Sequence, residues 1–191
     1  MRTFISIHPD EEVIGKISLI QRSFKDEVRS SGEHKFRALR WESAEKFHMT
    51  LFFIGEIENN ISEEIDERLS RIKRDFGEIR ICTGKVEAFP NLRYPRVVVL
   101  EMIEKEGKLT KLVDEIRAAM LEFGLKEDKP FRPHITLARV RRDSKVNLTD
   151  MNLNFDNSTD FAARSFCLYQ SILQPAGAVY KKLNEYFFTT S

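Results

Sequence analysis

The chain has 191 residues, enough for one compact domain or two closely packed lobes and too few for a multidomain assembly. Its apolar content of 41%, with 15 Phe beside one Trp, excludes a disordered or fibrous chain and predicts a core packed largely with Phe. Basic residues number 31 against 30 acidic, so a net charge of +1 gives no global field to recruit long nucleic acid or a membrane, and any polyanion must be met locally.

In chain order, Thr3 to Ile7 reads as a short strand, and Pro9-Asp10-Glu11-Glu12 reads as a helix start. Val13, Ile14, Ile17, Ile20 and Phe24 fall at helical spacing up to Val28, and Ser30-Ser31-Gly32 ends that helix. Phe36 to Trp41 and Phe47 to Gly55 read as strands. The second is expected to carry Phe47, Met49, Leu51 and Phe53 on one face and His48, Thr50, Phe52 and Ile54 on the other. Residues 61 to 76 form a second amphipathic helix ending at Gly77. Strands over Ile79 to Val86 and Arg96 to Met102 flank an Ala88-Phe89-Pro90-Asn91 loop, and a third helix runs from Lys108 to Phe123. Lys129-Pro130-Phe131-Arg132-Pro133 leads stiffly into a strand over His134 to Val140. A less ordered stretch over 142–160 precedes a strand from Ser165 to Ile172, a Gln174-Pro175-Ala176-Gly177 turn and a closing segment from Val179 to Phe188. Seven or eight strands, three longer helices and a mixture of hairpins and crossovers favour an α+β fold.

Cys82 and Cys167 lie in no C-x-x-C or Cys/His cluster, which argues against a disulfide framework and against structural zinc, so a reducing cytoplasm is the expected compartment. The opening Met1 to Ile7 is too short an apolar run for a signal peptide, and no stretch of about 18 apolar residues occurs, so no membrane association is expected. No G-x-G-x-x-G or Walker sequence is present, and no cofactor is expected.

Two of the four histidines share a tetrapeptide pattern: His48-Met49-Thr50-Leu51 and His134-Ile135-Thr136-Leu137. Chance recurrence of Thr and Leu at those offsets is on the order of 10⁻⁴ at ordinary residue usage. In a strand, residues i and i+2 share a face, so each motif offers an imidazole and a hydroxyl to one side. Two such strands facing each other would make a pocket symmetric about its centre. That symmetry suits phosphoryl displacement, in which attacking and leaving oxygens lie in line across phosphorus. A neutral imidazole can take a proton from the nucleophile while a protonated one gives a proton to the leaving oxygen, and the Thr hydroxyls can donate to non-bridging oxygens. No metal is required. Arg139 stands five residues after His134 at the strand's exit, not necessarily on its face, where a guanidinium can clamp phosphate. Arg132, Arg141 and Arg142 read as solvated charges, and His8 and His34 as surface or loop residues, although His8 follows the strand that borders the groove.

On these residues the chain resembles the 2′-5′ RNA ligase (LigT-like) family, RNA 2′,3′-cyclic phosphodiesterases of the two-histidine phosphoesterase superfamily. The resemblance also covers Arg2-Thr3-Phe4-Ile5, His48 through Gly55, Pro95-Arg96-Val97, Arg132-Pro133-His134 through Arg139, and Tyr169-Gln170-Ser171 through Pro175, Gly177 and Tyr180. It implies one two-lobed domain over 1–191, with pseudo-symmetric antiparallel sheets backed by helices and an active-site groove between the lobes. It further implies metal- and ATP-independent hydrolysis of a terminal RNA 2′,3′-cyclic phosphate to a 2′-phosphate. In the family the residue matching His48 is the proton donor and that matching His134 the acceptor; Arg139 matches a phosphate-contacting arginine and Phe4 an aromatic close to the nucleotide. The expected partners are RNA ends bearing the cyclic phosphate, such as those of tRNA fragments, met by a monomer. The ligase name reflects attack by a 5′-hydroxyl instead of water. Many members carry a basic residue where this chain has Phe52, which puts an electrostatic contact there in doubt. Two other classes stay open: a catalytically silent nucleotide- or RNA-end-binding module, and a two-histidine metalloenzyme, for which no third ligand pattern is seen.

Overall fold

The computed structural model describes residues 1–72, 75–155, 159–175 and 177–189. Strand β1 (Arg2–Ile7) leads into helix α1 (Glu11–Ser31), whose Asp10 caps it by accepting a hydrogen bond from the Val13 amide at 2.9 Å. The stripe Val13, Ile17, Ile20, Phe24 and Val28 is buried, as its spacing requires. Gly32, at φ 145°, then turns the chain directly into a short helix α2 (Glu33–Ala38). This corrects the strand expected from Phe36: only Leu39–Trp41 is extended, as β2. The Lys35 and Phe36 amides bond back to the Gly32 carbonyl, and Arg37 pairs with Glu33 one turn away. The Phe36 ring is then placed between Trp41 and the Arg29 guanidinium.

A 3₁₀ turn over Ala44–Lys46 precedes β3 (Met49–Glu56) and α3 (Asn59–Ser70). The second predicted helix is thus shorter than expected; Ile72 and Phe76 are buried beyond its end, and 73–74 lie outside the described residues. Strands β4 (Ile79–Phe89) and β5 (Val97–Ile103), helix α4 (Lys108–Leu121) and strand β6 (His134–Val140) follow. The stretch expected to be less ordered, 142–160, holds no helix or strand among its described residues until Asp160, where an unexpected strand, β7 (Asp160–Ala163), begins and pairs with β4; residues 156–158 lie outside the description. A hairpin of β8 (Ser165–Gln174) and β9 (Gly177–Phe187) closes the chain, and Ala176 of its expected turn is likewise not described.

Among the described residues, nine strands form one antiparallel sheet in the order β7-β4-β5-β6-β3-β1-β8-β9, with β2 added to β6. Its two four-strand halves meet at β3 and β6 through a single residue pair, Met49 with Ile135. Each half repeats one unit of a strand, a helix and an antiparallel neighbour: β1, α1 and β3 in one, β5, α4 and β6 in the other. The three longer helices bury their apolar stripes against one face of the sheet, leaving the other face open along the seam. No helix among the described residues is long and apolar enough to cross a membrane.

The strict alternation predicted for β3 is broken. Ser6 pairs with Thr50, but Ile5 pairs with Phe52, so Leu51 is an extra residue and Phe52 joins Leu51 in the core while Phe53 comes out on the Thr50 face. Strand β6 does the same one residue after its own threonine: Val99 pairs with Thr136 and Val98 with Ala138, skipping Leu137, and Arg139 returns to the Thr136 face. The buried side chain of Gln21 on α1 spans this point, donating to the carbonyls of Glu42 and Leu137 at 2.8 Å each. Gln21→Leu removes both bonds from buried acceptors and is expected to cost about 2–3 kcal/mol. The check is urea denaturation, where the midpoint falls at unchanged slope; an unshifted midpoint would show that the clamp carries no stability.

Candidate active site

His48 stands one residue before β3, and His134 is the first residue of β6. Both are fixed the same way. The His48 Nδ1 lies 2.7 Å from the Lys46 carbonyl and the His134 Nδ1 2.6 Å from the Arg132 carbonyl, two residues back in each case. A carbonyl only accepts, so each Nδ1 carries the proton of that bond and each Nε2 is the nitrogen left for a substrate. Thr50 and Thr136, both half-buried, share the open face with their histidines. The bulge at Leu137 brings Arg139 onto that same face. Its Nε donates to the Glu42 carboxylate at 2.8 Å, and its charge is felt by both imidazoles. The structure thus gathers His48, Thr50, His134, Thr136 and Arg139 at the seam between the halves.

Burial is the main force on both imidazoles and lowers the pKa of each, because desolvation disfavours the charged form. The Nδ1 bonds to Lys46 and Arg132 act in the opposite direction, and Arg139 adds to the lowering. One influence is unequal: the Glu42 carboxylate raises His48 and is absent from the forces on His134. A charge on His134 also opposes one on His48.

Phe4 is 4% exposed, its ring enclosed by His48 at 5.0 Å, Tyr169 at 5.6 Å and Tyr180 at 5.0 Å between centroids. It therefore backs His48, while the nearby Phe53 ring is 56% exposed and offers an open aromatic face. Phe52 lies in the core at 1% exposure and does not reach the open face. Arg132 lies over the Phe89 ring, and Arg141 donates to the Arg37 carbonyl.

His8 is neither exposed nor in a free loop, which corrects the surface reading. Its ring stacks on His48 at 5.5 Å and packs on Tyr169 at 4.4 Å, and burial, helped by the charges of His48 and Lys182, lowers its pKa to about 4. His34 is exposed on α2. Residue-by-residue reasoning also missed Glu42 and Tyr180, the latter edge-on to His48 at 5.2 Å. Tyr180 stood among the residues of the resemblance without a role, and Phe53 had a signal in its spacing: it stands five residues after His48, as Arg139 stands five after His134. Among the described residues no three His, Cys, Asp or Glu side chains converge as a metal-ligand set.

Two titrations test this electrostatic picture. By NMR, His48 and His134 should both titrate below about 6.5. Arg139→Ala should raise both, since it removes a positive charge, while Glu42→Gln should lower His48 and leave His134 in place; equal shifts at the two rings in Glu42→Gln would contradict the asymmetry. For His8, whose folded pKa lies below its unfolded 6.5, stability is fully present above pH 6.5 and is lost as pH falls toward 4, by up to about 3 kcal/mol. His8→Phe should remove that loss, read as the difference in denaturation free energy between pH 6.5 and 4.

Comparison with known proteins agrees with this geometry. The family model described as the 2′-5′ RNA ligase superfamily matches residues 21–171. A protein of Archaeoglobus fulgidus named RNA 2′,3′-cyclic phosphodiesterase is 32% identical over 185 residues, covering 96% of this chain and 98% of its own. One of the same name from Thermotoga maritima is 34% identical over 188 residues, covering 97% and 94%. The solved structure of TT0787 from Thermus thermophilus superposes with a TM-score of 0.77 at 26% identity, covering 100% of this chain and 99% of that one. Both histidine motifs fall inside the matched span, at the seam of a fold shared over the full length, and this chain belongs to the 2′-5′ RNA ligase superfamily.

Proposed function

We propose that the chain hydrolyses the 2′,3′-cyclic phosphate at RNA ends to a 2′-phosphate, with His48 as general acid and His134 as general base. The observation that carries the reading is two imidazoles anchored alike through Nδ1 with one arginine acting on both. The full-length relatives that bear the name RNA 2′,3′-cyclic phosphodiesterase support the substrate class. The water oxygen attacks phosphorus as its proton passes to the His134 Nε2; the bond from phosphorus to the 3′ oxygen breaks as the His48 Nε2 delivers its proton there. Thr50 and Thr136 hydroxyls donate to the non-bridging oxygens, and Arg139 balances their charge. Phe4 holds the His48 ring from behind.

Glu42 is one charge that distinguishes the two rings. Two neighbouring imidazoles resist double protonation, and Glu42 favours a charge on His48 and not on His134, partly offsetting the burial, the Arg139 charge and the His134 charge that disfavour it. An arriving phosphate anion raises both imidazoles from their depressed values, so the pair becomes competent with substrate bound. With a 5′-hydroxyl in place of water the same steps join two strands by a 2′-5′ link. The five reacting groups come from one chain, which fits a monomer, and two free thiols, Cys82 and Cys167, fit a cytoplasmic protein acting on ends such as those of tRNA fragments.

The test is product analysis on an oligonucleotide 2′,3′-cyclic phosphate in the presence of chelator. The expected product is the 2′-phosphate, and His48→Ala and His134→Ala should each lower kcat by about 10²–10⁴ with folding retained by circular dichroism. Undiminished turnover in both variants sinks the reading. Tight binding without turnover over about pH 5 to 8 supports the silent binding module instead. Glu42→Gln should also move the alkaline limb of the kcat/KM profile to lower pH, because the acid loses its proton earlier.

A further inference from the structure

A cavity of about 280 Å³ opens on the side of His134 away from β3, between β4, β5 and the approach to β6. Glu87, Phe89, Glu101, Phe131, Arg132 and His134 line it. We propose that it seats the first nucleoside of an attacking 5′-hydroxyl strand and that its two carboxylates select guanine there. The inference rests on the roles assigned above to His48 and His134.

In-line displacement sets the position. The leaving oxygen departs toward the acid and the attacking oxygen arrives on the side of the base. Whatever group carries the attacking oxygen must extend beyond His134 and away from His48, over β5 and β4. The cavity occupies that place, and its size is close to the lower end of small-molecule sites, roughly 300 Å³. Its carboxylates lie on the reacting face: Glu101 is directly opposite His134 in the β5–β6 ladder, and Glu87 is opposite Val99, which is opposite Thr136.

The lining decides the ligand. Two carboxylates repel a phosphate, so this is no second anion site, whereas Arg139 and the threonines serve the phosphate at the seam. The walls suit a flat ring. Phe89 stands edge-on to His134 at 5.2 Å and carries the Arg132 guanidinium 5.5 Å from its centroid, with the half-buried Phe131 alongside. Glu87 pairs with Lys85 at 3.0 Å. The Glu101 carboxylate takes no hydrogen bond from a described residue and folds over Gly84, where a Cβ would overlap it; glycine leaves it room. A carboxylate beside a stacked base accepts from N–H groups. Guanine alone presents two adjacent donors, N1–H and the 2-amino group, to match two oxygens. Adenine and cytosine offer one amino group beside a ring acceptor, and uracil sets its single N–H between two carbonyls that a carboxylate repels.

Guanosine and uridine are the probes. Titrated into the full chain with the histidine rings followed by NMR, guanosine should bind on the order of tenfold more tightly than uridine and perturb His134 more than His48. The double variant Glu87→Gln, Glu101→Gln should bring the two affinities within about twofold. A strand ending in a 2′,3′-cyclic phosphate should join a 5′-hydroxyl strand beginning with guanosine faster than one beginning with uridine. Equal binding of the two nucleosides, or a guanosine response confined to His48, overturns the proposal. Hydrolysis of a cyclic phosphate by the same preparation separates the two readings. Hydrolysis with no guanosine preference removes the pocket alone, and guanosine preference with no hydrolysis removes the assignment to an attacking strand along with the catalytic roles.

Discussion

The extra residue that each motif strand accommodates directly after its threonine governs the rest of this molecule. Leu51 and Leu137 have no partner in their ladders, and each pushes two successive side chains into the core. A regular strand would have sent the fifth residue after each histidine to the helix-covered face. With the bulge, Phe53 and Arg139 return to the open face beside the imidazoles. A skipped residue leaves a carbonyl to be satisfied, and at Leu137 the Gln21 amide from α1 and the Glu42 backbone N–H supply the donors. The same Glu42 then holds Arg139 with its carboxylate. Core packing, backbone satisfaction and the phosphate-binding charge are thus one connected arrangement, running from a helix of one half to the motif strand of the other.

Around that arrangement the two halves are alike where the chemistry is shared and different where the roles diverge. Both imidazoles are tied through Nδ1 to the carbonyl two residues earlier, and both have an aromatic neighbour, Phe4 for His48 and Phe89 for His134. His48 packs among the rings of Phe4, His8 and Tyr180, with Tyr169 behind Phe4 and His8 and a carboxylate in range, while His134 faces a cavity. That packing keeps His8 neutral and holds the His48 ring still. An exact twofold would give both rings the same surroundings, and Glu42, the aromatic neighbours of His48 and the cavity beside His134 make those surroundings unequal.

Much of this was readable in the order of residues, and the reasons differ from element to element. The apolar stripes of α1 and α4, the strand beginning at His134 and the paired H-x-T motifs all follow from periodicities of a few residues, which local geometry imposes wherever the segment lies. Phe36 looked like the start of a strand because Phe and Trp favour pleated surfaces, yet Gly32 and the contacts of Phe36 with Trp41 and Arg29 made a helical turn the better-packed choice. Strand β7 was invisible because its pairing with β4 depends on a partner about eighty positions away.

What the amino-acid order determined by itself was therefore the chemistry on offer: two imidazoles, two hydroxyls and a guanidinium in a repeated pattern, on a chain long enough to bury a core behind them. What only the tertiary structure decided was how these groups are aimed and tuned. The parity of β3 and β6, the burial of His8 against His48, and the seat of Glu42 beside Arg139 each depend on which face of the sheet the helices cover. That choice is made by the packing of the whole core, so no short window of sequence contains it.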